Sequence, residues 1–202
     1  MNIGIYVYEN SEVLDFSGPF EVFCTAKRLG ADQWNVFTVG QTLEPISARG
    51  GFKHVPMYSF ADHPPIDVLM VVGGVHHDEM DKEPVIEWIR QVAKTATWVT
   101  SVCTGAFLLA RAGLLTGKRV TTHWEDIPAL HDTFAELTVV PNVRWVRDGQ
   151  LVTSAGISAG IDMSLWLVSE LGTLTLAEET SIQMDYAWEN APQDDQFGVE
   201  SV

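Results

Sequence analysis

Basic residues are scarce in this chain: 12 Lys and Arg stand against 27 Asp and Glu among 202 residues, for a formal net charge of −15. Phosphate-rich partners bind through cations, so neither nucleic acid nor an anionic membrane is expected to be a partner. Solubility alone accounts for such a charge. Cysteine is scarcer still, with Cys24 and Cys103 only. Two cysteines behind no signal peptide are expected to be free thiols in a reducing cytoplasm. No apolar run reaches the roughly 20 residues of a membrane span. Fixed-period repeats, low-complexity segments and Pro- or Gly-rich linkers are lacking as well, which leaves no signal for a domain boundary. With 46% hydrophobic residues, residues 1–202 can bury one sizeable core, and a single domain is expected.

What is present is an alternation of strand-like and helix-like segments. Asn2 to Tyr8 reads as a buried strand. Val13 to Phe16 leads into a helix that Ser17 is expected to cap, with Pro19 in its first turn and Phe20, Val22, Phe23, Ala26 and Leu29 on its apolar face. Asp15 then stands just before that helix, where a plain capping or turn role is the alternative to a functional one. Cys24, one helical turn after Phe20, reads as core. Trp34 to Val39 forms a second strand, and Ile66 to Val72 a buried parallel one that ends in Gly73-Gly74. N–H groups near Gly74 would suit a developing negative charge; a tight turn is the simpler account. His76 and His77 are expected in a solvated loop, because nothing supplies further metal ligands at recognisable spacing, and no metal site is expected. Pro84 to Lys94 is an amphipathic helix.

Trp98 to Val102 is β-branched and apolar enough for a buried strand, and Gly105 to Ala112 opens a helix, so Cys103 falls at the turn between them. Ligands bind at that edge of open α/β sheets, and the positive end of the helix is expected to acidify the thiol. A small buried hydrophobe is the alternative reading of the same residue. Val120 to Thr122 delivers His123 to a strand end, where it can trade protons with a thiol or serve as a structural hydrogen-bonder. Glu125 to His131 reads as a short helix, Arg147 to Gln150 as a hairpin turn, Leu151 to Gly156 as a strand, Ile157 to Leu171 as a helix, and Ala177 to Trp188 as the last helix. Residues 189–202 read as a polar tail. At least five buried strands alternating with helices predict a three-layer α/β sandwich with a mostly parallel central sheet.

Several stretches together carry a family resemblance: Val13 to Phe23, Val71 to Gly74, Ser101 to Ala110, Ala112 to Gly117, Thr122-His123-Trp124 and Ser154 to Asp162. In these the chain resembles the ThiJ/PfpI family of the class I glutamine amidotransferase-like, flavodoxin-like fold. Within it the chain is most similar to the isonitrile hydratases and the amidase-like domains of AraC-type regulators. The resemblance implies that Cys103 is the elbow nucleophile, Asp15 the carboxyl group facing it and Thr104 the third member of the site, with Gly73, Gly74 and His123 around the pocket. It implies a homodimer that hydrates a small-molecule isonitrile to an N-substituted formamide without a metal or organic cofactor. A glyoxalase-like reaction of 2-oxoaldehydes, or ligand or redox sensing as in the regulators, are the alternatives it leaves open. Glutamine hydrolysis is disfavoured, because no His follows Ser154. The acidic run from Ala187 to Asp195 departs from the aromatic, Pro-rich ending of relatives.

Overall fold

A computed structural model describes residues 1–188; the tail expected from residue 189 onward lies outside them. In chain order the elements are β1 (Asn2–Tyr6), α1 (Val13–Leu29), β2 (Asn35–Gly40), β3 (Ile46–Ala48), β4 (Phe52–His54), β5 (Tyr58–Ser59) and β6 (Val68–Val71). There follow α2 (His77–Met80), α3 (Glu83–Ala93), β7 (Trp98–Val102), α4 (Gly105–Arg111), β8 (Arg119–Val120), α5 (Ile127–Thr133) and β9 (Thr138–Val139). The hairpin β10 (Trp145–Asp148) and β11 (Leu151–Ser154) precedes α6 (Ala159–Leu171) and α7 (Leu174–Gln183).

Seven strands join in one sheet of order β10-β11-β7-β6-β1-β2-β5. Every neighbouring pair is parallel except the β10–β11 hairpin, whose Asp148-Gly149 turn places Gly149 at φ 68°. Helices α1, α6 and α7 pack together, as do α2, α3 and α4, so the sheet is covered on both faces. This is the expected three-layer architecture with a mostly parallel centre. Because both faces are covered, the central strands are mostly apolar: all four residues of β6 are buried, and so are Ile3 and Ile5 of β1. Each large aliphatic side chain withdrawn from water in this way stabilises the fold by roughly 1.5–3 kcal/mol.

Strand order reverses beside β1, which lies between β2 and β6. Sequence-distant connections thus leave the same carboxyl edge of the sheet, and a crevice opens there. The loops after β1, β6, β7 and β11 all meet at this edge.

Several boundaries differ from the sequence reading: the strands read to Tyr8 and Gly156 end at Tyr6 and Ser154, and the helix read from Ile157 begins at Ala159. Helix α1 begins at Val13 rather than at Ser17, so Asp15 sits inside its first turn, and Ser17 turns its hydroxyl back onto the Val13 carbonyl at 2.8 Å. Pro19, read as a first-turn residue, is interior to this helix. Gly18 lets α6 approach: a Cβ there would meet Ile161 at 3.0 Å. The last helix starts earlier and ends earlier than expected, at Leu174 and Gln183, because Thr173 caps it by accepting from the Leu176 N–H at 3.1 Å.

Helix α4 crosses the end of β6 so closely that a Cβ on Gly105 would lie 2.1 Å from the Val71 carbonyl oxygen. Gly113 has φ 74° but open space around it. Urea unfolding should therefore separate the two alanine variants. Gly105→Ala is expected to lose about 3 kcal/mol or more by overpacking, and Gly113→Ala about 1–2 kcal/mol from its left-handed backbone. Equal losses would mean that β6 and α4 can move apart freely.

Candidate active site

Cys103 occupies the turn from β7 into α4 with φ 55°. A left-handed L-residue costs about 1–2 kcal/mol, and the turn survives because its backbone is held from two sides. Its N–H points at the carbonyls of Ser154 and Ala155 at 3.2 and 3.3 Å, and its own carbonyl accepts the Thr122 hydroxyl at 2.8 Å. Such an elbow lifts one side chain above the carboxyl edge of the sheet.

Asp15 is wholly buried. Its Oδ2 accepts the Gly73 N–H at 3.1 Å, its Oδ1 accepts the Ile157 N–H at 3.1 Å, and the Cys103 thiol stands beside the carboxylate and favours its charged form. Burial, above all, pushes this carboxyl up to about 7; the Gly73 N–H opposes the rise, the Glu12 charge adds to it, and the Ile157 N–H opposes it again. Burial also pushes the Cys103 thiol well up, with the Asp15 charge second, while the Thr104 N–H pulls it down.

The expected acidification of an isolated thiol by the helix is thereby overturned. The seven-residue α4 is outweighed by desolvation and a neighbouring carboxylate. Thiol and carboxyl instead titrate as one pair, and apparent values belong to the pair. The carboxyl gives up its proton near 7 and the thiol keeps its own to higher pH, so above that point a carboxylate faces a protonated thiol.

Thr104 completes this arrangement through Gly74. Its hydroxyl donates to the Gly74 carbonyl and accepts the Gly74 N–H, both at 3.0 Å. The two N–H groups expected near a developing negative charge are therefore already engaged, Gly73 by Asp15 and Gly74 by Thr104. Glycine is required at both positions. A Cβ on Gly73 would lie 2.5 Å from the Thr104 nitrogen, and one on Gly74, at φ 140°, 2.3 Å from the Asn10 carbonyl oxygen. The Tyr8 hydroxyl is buried beside Thr104.

The elbow opens on a cavity of about 250 Å³ lined by Cys103, Thr104, Gly74, His76, His123 and Arg49, among others. His76 corrects the solvated-loop expectation. It is buried, with its ring 4.3 Å from that of Phe107 on α4, and burial lowers its pKa. His77 does lie outside, stacked on it at 4.3 Å. Among the described residues no three His, Cys, Asp or Glu side chains converge as a metal cluster.

His123 borders the cavity and presents Nδ1 to Asp126 at 3.5 Å and to Glu125 at 3.9 Å, rather than to the thiol. Gly156 makes room for its ring, since a Cβ there would lie 2.2 Å from His123 Cδ2. Arg49, brought in by the turn between β3 and β4, pairs with Glu12 at 3.2 Å across the mouth. The sequence reading singled out neither Arg49 nor Ile157 as a site residue. Cys24 is half-buried and packed against the core, and burial raises its pKa, as a core thiol requires.

Fold and site together define a doubly wound α/β protein that sets a cysteine at a strand-to-helix elbow beside a buried carboxyl. A family model described as the DJ-1/PfpI family matches residues 1–170, and the chain belongs to that family. It is 38% identical over 189 residues to the isonitrile hydratase of Pseudomonas putida, covering 93% of this chain and 79% of that protein. It is 29% identical over 171 residues to the HTH-type transcriptional regulator CdhR of Pseudomonas aeruginosa, covering 85% of this chain but only 51% of the regulator. Among solved structures it superposes on a ThiJ/PfpI family protein from Pseudomonas syringae with a TM-score of 0.81 and 29% identity, covering 99% of this chain and 78% of that one. Drosophila melanogaster DJ-1beta, with a TM-score of 0.79, 20% identity and coverage of 93% of this chain and 98% of its own, shares the fold.

The pairing of thiol and carboxyl has a direct readout. Alkylation of Cys103 by iodoacetamide should rise with pH through a midpoint near 7, below the roughly 8.5 of a free thiol, because the carboxylate that forms there can take the thiol proton as sulfur attacks. Asp15→Asn should abolish that limb and leave one midpoint above about 8.5. Faster labelling of Cys24 than of Cys103 would remove Cys103 from the elbow role.

Proposed function

We propose that the chain is a cysteine-dependent isonitrile hydratase that converts a small isonitrile and water to an N-substituted formamide. The observation that carries this reading is the Asp15–Cys103 pair, a buried acid set beside a thiol that lines a small cavity. Similarity to the Pseudomonas putida isonitrile hydratase over 93% of the chain supports it.

The terminal carbon of an isonitrile needs a proton and a nucleophile at the same atom. In the first step the Asp15 carboxylate takes the Cys103 thiol proton and delivers it to that carbon while the sulfur bonds to it, so S–H adds across the carbon and a thioimidate forms on the enzyme. The carboxylate left on Asp15 takes a proton from water as the hydroxide adds to the thioimidate carbon. That proton passes to nitrogen. The C–S bond then breaks as the new hydroxyl closes to C=O, its proton returns to the pair, and the formamide leaves. Thr104, with one hydroxyl lone pair still open after its two bonds to Gly74, accepts a hydrogen bond from the attacking water. His123 stays at the cavity wall, because every proton in this scheme is handled by Asp15. No cofactor enters the scheme.

A side-by-side turnover assay with an alkyl isonitrile and methylglyoxal tests the reading. Isonitrile turnover is expected; methylglyoxal turnover alone would make the glyoxalase reading the right one, and ligand binding without turnover of either would point to a sensor. General acid–base help is worth about 10²–10⁴-fold, so Asp15→Asn should lose that much kcat, Cys103→Ala should be inactive and Thr104→Val should fall between. The kcat/KM should rise with pH through about 7. Below that pH, Asp15 and Cys103 are both protonated and the thiol has no acceptor for its proton. Near wild-type turnover in Asp15→Asn combined with its loss in His123→Ala would reassign the acid to His123.

We further propose a cytoplasmic homodimer. The apolar residues Phe52, Val55 and Met57, at and just beyond the β3–β4 hairpin that carries Arg49, are more than half exposed, at 51, 57 and 51%. Sedimentation should give a dimer at micromolar concentration, and a monomer would remove the proposal.

A further inference from the structure

The turn after β11 touches the nucleophile, the acid and the histidine at once. The Ser154 and Ala155 carbonyls accept the Cys103 N–H, Gly156 leaves space for the His123 ring, and the Ile157 N–H donates to Asp15 Oδ1 at 3.1 Å. Ile157 does this with φ 58°. Left-handed backbone suits Gly, Asn or Asp, and a β-branched residue there is an outlier. Helix α6 begins two residues later at Ala159, and the Ile157 carbonyl accepts the Gly160 N–H at 3.3 Å in the turn that leads into it. The conformation also aims the Ile157 N–H away from that helix. From the end of the hairpin strand, this amide points back under the sheet edge at a carboxylate 142 residues away in sequence.

We infer that Ile157 is a positioning residue, whose left-handed backbone holds the Asp15 carboxyl against Cys103 and whose side chain forms the wall between the reaction cavity and an adjoining groove. That groove, of about 480 Å³, lies on the far side of His123 and Ile157 and runs along Asn142, Arg144 and Ser158. Ile157 and His123 line both spaces. A substrate whose isonitrile carbon reaches Cys103 therefore meets the Ile157 side chain where its substituent leaves the cavity. The inference rests on the hydratase reading for its substrate, but its positioning half concerns the Asp15–Cys103 pair alone.

The groups facing that pair are few enough to separate. Glu12 just before α1 acts on Asp15, Asp126 and Glu12 act on Cys103, and Tyr8 after β1 feels the charge of both. None of them is altered by a change confined to the Ile157 amide. Introducing the α-hydroxy analogue of isoleucine at position 157 replaces that N–H by an ester oxygen and leaves every side chain in place. Without this donor the charged carboxylate is less favoured, and the Cys103 alkylation midpoint should move up by about one pH unit. Ile157→Gly keeps the N–H and adopts positive φ without strain. It should hold the midpoint and change KM for isonitriles of differing bulk more than kcat.

An ester variant with an unmoved midpoint would overturn the positioning role. A glycine variant whose midpoint shifts as far as that of the ester would assign the effect to the side chain and overturn it equally. Alkylation needs no turnover, so failure of the hydratase reading would show as absent formamide with these midpoints still ordered as stated.

Discussion

The molecule depends on one buried carboxylate. Asp15 lies under the carboxyl edge of the sheet without a guanidinium or ammonium among its contacts, and a lone ionised carboxylate in such a place costs several kcal/mol unless N–H groups surround it. Gly73 and Ile157 supply them, from the ends of β6 and β11. That requirement propagates outward. The Gly73 amide can reach Asp15 only if the chain doubles back at Gly74, which Thr104 then fixes through both its N–H and its carbonyl. Thr104 is in turn placed by the elbow at Cys103. The site is thus a closed set of bonds linking four crossover connections.

Asp162 offers a contrast within the same chain. It is equally buried, but Arg144 and Tyr186 bind its carboxylate from the hairpin side and from the residues after α7. A buried acid paired with a cation keeps its charge and holds elements together. Asp15, given N–H donors and a thiol, is left near the point of proton exchange, which is a poor way to hold a fold and a good way to move a proton. Strain falls in the same place, for Cys103 and Ile157 both carry positive φ within this set of bonds.

How far the sequence foretells these features follows from the range of the interactions. The elbow was legible because a β-branched run, Trp98 to Val102, passes into Gly105-Ala106-Phe107 within two residues, which is a purely local signal. Strand alternation likewise predicts the three layers. Asp15 was placed by family resemblance, and local signals misplaced its helix: Ser17 and Pro19 imitate a helix start, yet the chain is already helical at Val13. His76 was misjudged because its burial comes from Phe107, 31 residues on, on a helix that crosses above it. The shift of the Cys103 thiol was misjudged for a related reason, since the helix terminus is visible in sequence and the desolvation is not. Ile157 carries no sequence mark at all: its conformation is imposed by what its amide must reach.

The engagement of Gly73 and Gly74 also bears on which chemistry the site can perform. Acyl transfer passes through a tetrahedral oxyanion, and its catalysts keep N–H donors free at that position. Here the Gly73 and Gly74 amides are committed to Asp15 and Thr104, and recruiting either would break the bonds that hold the acid in place. Under the reading proposed above, the first step, addition of S–H across an isonitrile carbon, would make no such demand, because the charge that develops as sulfur attacks would be neutralised at the same carbon by a proton from Asp15. A carboxyl poised near 7 and 0% exposed beside the thiol suits that step. The later collapse of the tetrahedral carbon would draw on the Thr104 N–H, which already acts on the Cys103 sulfur, and would leave the amides that hold the acid undisturbed.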